Sequence, residues 1–388
     1  MQVVKTRLIC RFVQTVLVVA AIFEPGAHAA AQPVSFDFAG GYPAPDPKLG
    51  ETLQADEIES AERIAAVIAA TIRRNYAEGE ARRDAHPKAH GCVRATFEVT
   101  PDLDPRLTKG VFQPGKRYPA WIRFSNGNED PNRADDKGDG RGMAIKLMAV
   151  SGDFLSEEDA ANETQDFIMI SHPVFLLDDA SAYVSLVEAV NSEGLLASLL
   201  QPVRVPLALG VAGTWNAYRT TSKKIDNPLK TRYWSMTAYR LGTGDDRQAV
   251  KFSARPCTPH EHVLPDDPDP NFLRAAMRDS LAAGPACMEF LLQPRTSPAM
   301  SVEDTQTEWE EADAPFYKAA TITIPKQTFD TPEQNRFCED LSFNPWRALE
   351  AHRPLGAVNR MRKPIYETIS NLRRTMNDAP VAEPKPDG

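Results

Sequence analysis

The sequence predicts an α+β chain, an antiparallel β-barrel with helical additions. Three observations predict it. Four short β-rich runs, "RATFEVT", "YPAWIRFSN", "GMAIKLMAV" and "TQDFIMIS", follow one another between residues 94 and 171, with Pro, Gly, Asn and Asp between them. Consecutive short strands punctuated by turn residues build antiparallel sheets and barrels. Three more runs of the same kind, "AVKFSARP", "ACMEFLLQP" and "AATITIP", come after residue 248, and helix-period segments stand before, between and after the two groups.

The elements follow in chain order. Residues 1–31 have a basic start (Lys5, Arg7, Arg11), an apolar run from Phe12 to Phe23 and small residues at Ala27, Ala29 and Ala31. That is the pattern of a secretory signal peptide. The run is too short to span a bilayer, which needs about 20 apolar residues, so the mature chain is expected to be exported, to a periplasm or beyond, with no stable membrane span. Residues 32–50 form a Pro/Gly-rich lead. Leu53 to Gly79 reads as one long amphipathic helix, with Ile58, Ala61, Ile64, Ala65, Ile68 and Ile72 on one stripe. The first strand group follows, then a helical middle over 180–200, the second strand group, and a return to helix over 345–376. Residues 378–388, "DAPVAEPKPDG" from Asp378, read as a disordered tail. Residues 51–377 are expected to form the functional domain.

Composition narrows the function. The 388 residues are 42% hydrophobic and 25% charged, enough for a sizeable core. Residues 1–31 carry three cations and one anion, so without them the net charge goes from −9 to −11. Such an acidic chain is a poor partner for nucleic acid. Cys10 belongs to the leader; Cys92, Cys257, Cys287 and Cys338 remain, and their spacing does not choose among three pairings or free thiols.

Three segments carry candidate chemistry. In "NRMRKPIYETISNLRR", Tyr366 stands among Arg360, Arg362, Lys363, Arg373 and Arg374. With a helix starting at Pro364, Tyr366 and Arg373 share a face, and Arg362 lies one turn upstream. Cations beside a phenol favour the phenolate, a ligand suited to ferric iron; a solvated amphipathic helix accounts for the same residues. In "RRDAHPKAHGCVRATFEV", His86 and His90 precede a strand. Their spacing lacks a third metal ligand, leaving a proton-shuttle role or an exposed loop. In "YPAWIRFSNG", Trp121, Arg123 and Ser125 share a strand face. Set inside a barrel, that face needs an anionic or polar guest; set in solvent, it needs none. "NEDPNRADDKGDGRG" lacks the glutamate of a calcium loop and reads as a turn. "HEH" at His260 to His262 reads as a solvated loop rather than a metal site.

Taken together, "HPKAHG", "WIRFSNG", "GDGRGMAIKL" and "FNPWRALEAHRPLGAVNRMRKPIY" resemble, in order, the haem-core signatures of the catalase superfamily, over Arg82 to Asn377. The resemblance is nearest to the small exported catalase-related peroxidases. It implies a catalase-like barrel holding ferric haem b, with Tyr366 as axial iron ligand and Arg362 holding it as phenolate. It implies His86 as the distal acid–base residue, with Ser125 orienting its ring and Asn162 as the distal amide; His90 is a second candidate for the histidine. Arg83, Arg123 and Arg373 would meet the haem propionates, and Phe175 would stack on the distal haem face. The implied activity is reduction of hydrogen peroxide or organic hydroperoxides with a small-molecule electron donor, and a homo-oligomer is compatible with it. Two other activities fit the same resemblance: a lipid-hydroperoxide isomerase or lyase of the allene oxide synthase kind, and non-catalytic haem binding.

Overall fold

The computed structural model describes residues 38–192, 194–379 and 383–385; the expected leader, 1–31, lies outside them. Nine strands are described: β1 (Ala89–Val99), β2 (Arg117–Asn126), β3 (Arg141–Leu147), β4 (Gln165–Ile170), β5 (Tyr233–Trp234), β6 (Tyr239–Leu241), β7 (Gln248–Pro256), β8 (Ala286–Pro294) and β9 (Tyr317–Ile324). All pairings are antiparallel, in the order β5-β4-β3-β2-β1-β9-β8-β7-β6. The two residues of β5 also pair with β7, at Tyr233–Ala254 and Trp234–Ser253, and with β4 at Ile170–Trp234. Eight strands thereby close into a barrel, and β6 hangs on the free edge of β7. The predicted fold class is the one observed.

Alternation along the strands fills the barrel interior with apolar side chains. Phe97, Ile122, Phe124, Ile145, Phe167, Phe252, Phe290 and Ile322 are almost wholly shielded from solvent. Phe167 and Phe290 have ring centroids 4.9 Å apart, and Phe97 meets Phe290 edge-on at 5.2 Å. Each such ring contributes roughly 1.5–3 kcal/mol by leaving water. The barrel is a packed core with no room for a guest. Arg123 and Ser125 therefore point out of it, which corrects the placement of that face inside the barrel.

The outer face over β1 to β4 is roofed by helices. Those described are α1 (Phe38–Gly41), α2 (Glu57–Asn75), α3 (Glu157–Asn162), α4 (Ala180–Val190), α5 (Leu195–Ser222), α6 (Phe272–Ala283), α7 (Pro332–Asp340) and α8 (Ala357–Asn377). Ile64, Ile68 and Ile72 of α2 pack with Met361, Ile365 and Leu372 of α8 and Ala180 of α4. Arg360, wholly buried, ties α8 to this layer through Glu51 (2.6 Å), Glu57 (2.7 Å) and Glu303 (3.0 Å). A buried guanidinium needs such partners.

Several boundaries differ from expectation. Helix α8 starts at Ala357 after Gly356, whose φ of 87° suits glycine, so residues 345–356 are not α-helical, holding only a 3-10 turn at Glu350–His352, and Pro364 is interior. Helix α5 continues past Leu200 to Ser222 and kinks at Gly210 (φ 64°). Disulfides join Cys92 to Cys338 and Cys257 to Cys287, each with Cα atoms 5.5 Å apart. Of residues 378–388 the structure describes 378, 379 and 383–385, and the Glu383 carboxylate lies 2.7 Å from Lys146 and 3.2 Å from Arg347. Among the described residues, no helix is long and apolar enough to cross a membrane.

Candidate active site

Between the outer face of the barrel and the roof lies a cavity of about 260 Å³. One wall is α8: Arg362, Ile365, Tyr366, Ile369, Ser370 and Arg373 line it, at the spacing of one helical face. Arg362 is buried, and its Nη1 donates to Asn359 Oδ1 (3.2 Å). Asn359 is itself fixed, its amide donating to the carbonyls of Ala238 and Leu355 at 3.0 Å each. On its other side the Arg362 guanidinium lies 5.3 Å from the Phe175 ring centroid. Phe175 lines the cavity too, edge-on to Tyr183 at 5.7 Å; burial pushes the Tyr183 phenol up to about 12.

The opposite wall is built on β2 and β3. Ser125 pairs with Gly142 and Arg123 with Ala144, so small residues stand beside the two polar ones. His86 sits above them on the loop before β1, at a φ of 62° unusual for a residue with a side chain. Its carbonyl accepts from Arg123 Nη2 (2.8 Å), and its Nδ1 lies 3.0 Å from Ser125 Oγ. Gly142 makes this seat available: a Cβ there would lie 2.6 Å from His86 Nδ1 and 2.7 Å from Ser125 Oγ. Burial, and then the neighbouring Arg123 charge, push the imidazole pKa down to about 4, so it is neutral at pH 7. Beside it, burial raises the Asp84 carboxyl to about 6.

The third side is cationic. Arg83, Arg123 and Arg373 converge with Glu339 as their nearest carboxylate, 3.4 Å from Arg83 and 3.9 Å from Arg373. Arg83 Nη2 donates to the Leu341 carbonyl and Arg373 Nη2 to the Glu339 carbonyl (2.9 Å). The Nε atoms of Arg123 and Arg373 are buried without a partner. Burial first, and each other's charge, lower all three: Arg83 and Arg373 to about 9, Arg123 to about 10. Three guanidiniums against the carboxylates of Glu339 and Asp340 leave this end short of negative charge, and a guest bearing carboxylates fits it.

Most of the residues singled out in the sequence thus meet here: Arg83, His86, Arg123, Ser125, Phe175, Arg362, Tyr366 and Arg373. Asn162 does not. The link between β3 and β4 folds as α3, capped by Ser156 and closed by Glu163 in the left-handed region (φ 52°). The Asn162 amide is spent on the Glu158 carbonyl (3.1 Å), within that helix. His90 is also elsewhere: fully buried, it lies 2.9 Å from Asn126 Oδ1. Of the cations around Tyr366, Arg360 serves the roof, Lys363 pairs with Glu367 (3.3 Å), and Arg374 reaches Ser342 Oγ (3.2 Å). The acidic loop is a structured floor: Asp139 accepts from the amides of Gly127 and Asn128, and Asp135 meets Lys88 at 2.8 Å. Sequence reasoning missed Asn359, Tyr183, Gly142 and Asp84; only Gly142, a glycine inside a strand, carried a signal.

Comparison with known proteins bears on what such a cavity is for. A family model described as Catalase matches residues 69–195. A catalase-related peroxidase of Mycolicibacterium paratuberculosis is 26% identical over 296 residues, covering 75% of this chain and 89% of that protein. Catalase HPII of Pseudomonas aeruginosa is 35% identical over 107 residues, 13% of its length. Among solved structures, catalase A from Saccharomyces cerevisiae superposes with a TM-score of 0.59 at 17% identity, over 79% of this chain and 62% of that one. A fungal catalase gives 0.57 at 17%, over 78% and 63%. The chain therefore spans less than two thirds of either catalase.

Proposed function

We propose that the chain, similar to catalases and to a catalase-related peroxidase, is a member of the catalase superfamily and a haem-dependent peroxidase, reducing hydrogen peroxide or organic hydroperoxides with electrons from a small-molecule donor. The observation that carries this reading is the convergence of Tyr366 with Arg362, His86 with Ser125, and three arginines, Arg123 and Arg373 buried and Arg83 partly so, on one cavity. The donor set fits ferric haem b. Tyr366 would supply a phenolate oxygen to the iron, with Arg362 one turn away, and Arg83, Arg123 and Arg373 would take the propionates. When bound, ferric haem supplies the redox centre at which the peroxide is reduced.

The chain's own residues supply the proton chemistry. Breaking a peroxide O–O bond requires moving a proton from one oxygen to the other. With Nδ1–H donating to Ser125 Oγ, the neutral His86 ring carries its lone pair at Nε2, able to take that proton and return it. Among the described residues no side-chain amide lines the cavity, and Asn162 lies outside it. This supports donor-dependent reduction over fast disproportionation. The apolar lining from Ile68, Ile168, Met169 and Phe343 favours one second reading, rearrangement of a lipid hydroperoxide on the same haem. The two disulfides support an oxidising compartment and hence export.

The test is spectroscopic and kinetic. The mature protein, made with ample haem, is expected to show a Soret band that shifts or disappears in Tyr366→Phe. His86→Ala should keep the band and lose roughly 10²- to 10⁴-fold in peroxide-dependent donor oxidation. A protein that takes up no haem, or a Tyr366→Phe variant with spectrum and turnover intact, would overturn the assignment. Rearranged lipid product without donor consumption would favour the second reading.

A further inference from the structure

Away from the cavity, two histidines and an aspartate converge. Asp226 lies just after α5, His260 and His262 on the irregular loop between β7 and α6, and their ligand atoms all fall within 4.8 Å of one another. His260 Nε2 is 2.9 Å from both Asp226 carboxylate oxygens, and His262 Nδ1 is 2.8 Å from Oδ1. The Val263 amide donates to Oδ2 at 3.0 Å. The three side chains are about one-fifth exposed, so the cluster is open to solvent on one side.

The hydrogen bonding around His262 decides what belongs between these groups. Thr231 Oγ1 donates its one proton to the Asn227 carbonyl (3.0 Å), so towards His262 Nε2, 3.4 Å away, it can only accept. Nε2 therefore carries a hydrogen, and in the neutral ring Nδ1 carries the lone pair. The Asp226 amide, which donates to Nδ1 at 3.3 Å, requires the same. That lone pair then faces a carboxylate oxygen at 2.8 Å, two acceptors in contact. A second ring proton removes the conflict by making an ion pair, and so does a metal cation bound by both groups. An imidazole whose far N–H is held by an outer partner, with its near nitrogen free, is the usual arrangement of a metal-ligating histidine.

We propose that Asp226, His260 and His262 form a binding site for a divalent metal of the zinc class. Two imidazoles select a borderline metal over calcium or magnesium, which prefer oxygen alone. Three protein ligands leave at least one position for water, so the site is open rather than closed. The metal clips the loop that starts at the Cys257–Cys287 disulfide to the segment leading into β5.

The test is zinc binding to the untagged, haem-loaded mature protein, read by competition with a chromophoric chelator. Expected is one zinc per chain, lost in Asp226→Asn and in the double variant His260→Ala/His262→Ala. Thr231→Val should weaken it by roughly 10- to 100-fold. The Soret band of every variant serves as the folding control, since none of these residues lines the cavity. No binding by the wild type, or binding that survives both Asp226→Asn and the double variant, would overturn the proposal.

Discussion

A hydrogen in place of a methyl group decides the geometry beside His86. Gly142 has a strand conformation any residue could adopt, so the constraint is space alone: a Cβ would intrude on both His86 Nδ1 and Ser125 Oγ. Gly142→Ala should therefore push the imidazole off its serine while sparing the cavity's other walls. The expected result is normal haem uptake with peroxide turnover down by roughly 10²-fold, the scale of a 1 Å misplacement. Turnover within twofold of the wild type would show that His86 is not held as described. Asn162→Ala, its amide spent inside α3, should leave turnover unchanged in the same assay. Residue chemistry was well legible where it rested on fixed spacing: Arg362, Tyr366 and Arg373 are four and seven apart, and a helix puts them together wherever it begins. Asn162 was not, because its place depends on how an irregular connection folds, and a short run of polar residues can cap a helix or enter a site equally well.

At the scale of elements, long periodic segments were legible and short ones were not. Seven strand runs and the α2 stripe appear where their patterns place them. The two-residue β5 has too few positions to show a period, yet it closes the barrel. Pro364 looks like a first-turn residue, and a helix started there begins seven residues later than α8 does. The proline is interior instead, where it cannot donate to the carbonyl of Arg360 one turn earlier, and the Arg360 side chain is anchored by three carboxylates. The pairing of the cysteines depended on the strand order, which no spacing reveals. The Cys92–Cys338 bridge joins β1 to α7 across 246 residues of sequence. On the chain-entropy account its loss in Cys92→Ala/Cys338→Ala costs up to about 5 kcal/mol. Urea midpoints of the variant and wild type check this, and superimposable curves would show that the bridge constrains nothing the fold does not already fix.

At the scale of the whole molecule, the barrel is dry and the chemistry is outside it. His352 belongs to the dry part: wholly buried, accepting from the Val111 amide at 3.0 Å, edge-on to Phe112, with burial pushing its pKa down to about 3. Unfolded, the same imidazole protonates near 6.5. Between those values the unfolded chain binds a proton that the folded chain refuses, so stability present above pH 6.5 is lost as the pH falls towards 3. Melting temperature plotted from pH 7.5 to 4.5 should fall more steeply for the wild type than for His352→Gln; parallel curves would refute this. The division between packed barrel and roofed cavity also sets an order in time. A ribosome makes the chain from its N-terminus, and early segments can begin to fold before late ones exist. His86, Arg123 and Ser125 emerge with the first strands, but Tyr366 is synthesised 241 residues after Ser125. Until its helix exists the cavity lacks one of its walls, so a chain interrupted anywhere before α8 keeps Arg83, His86 and Arg123 on an open outer face and encloses nothing.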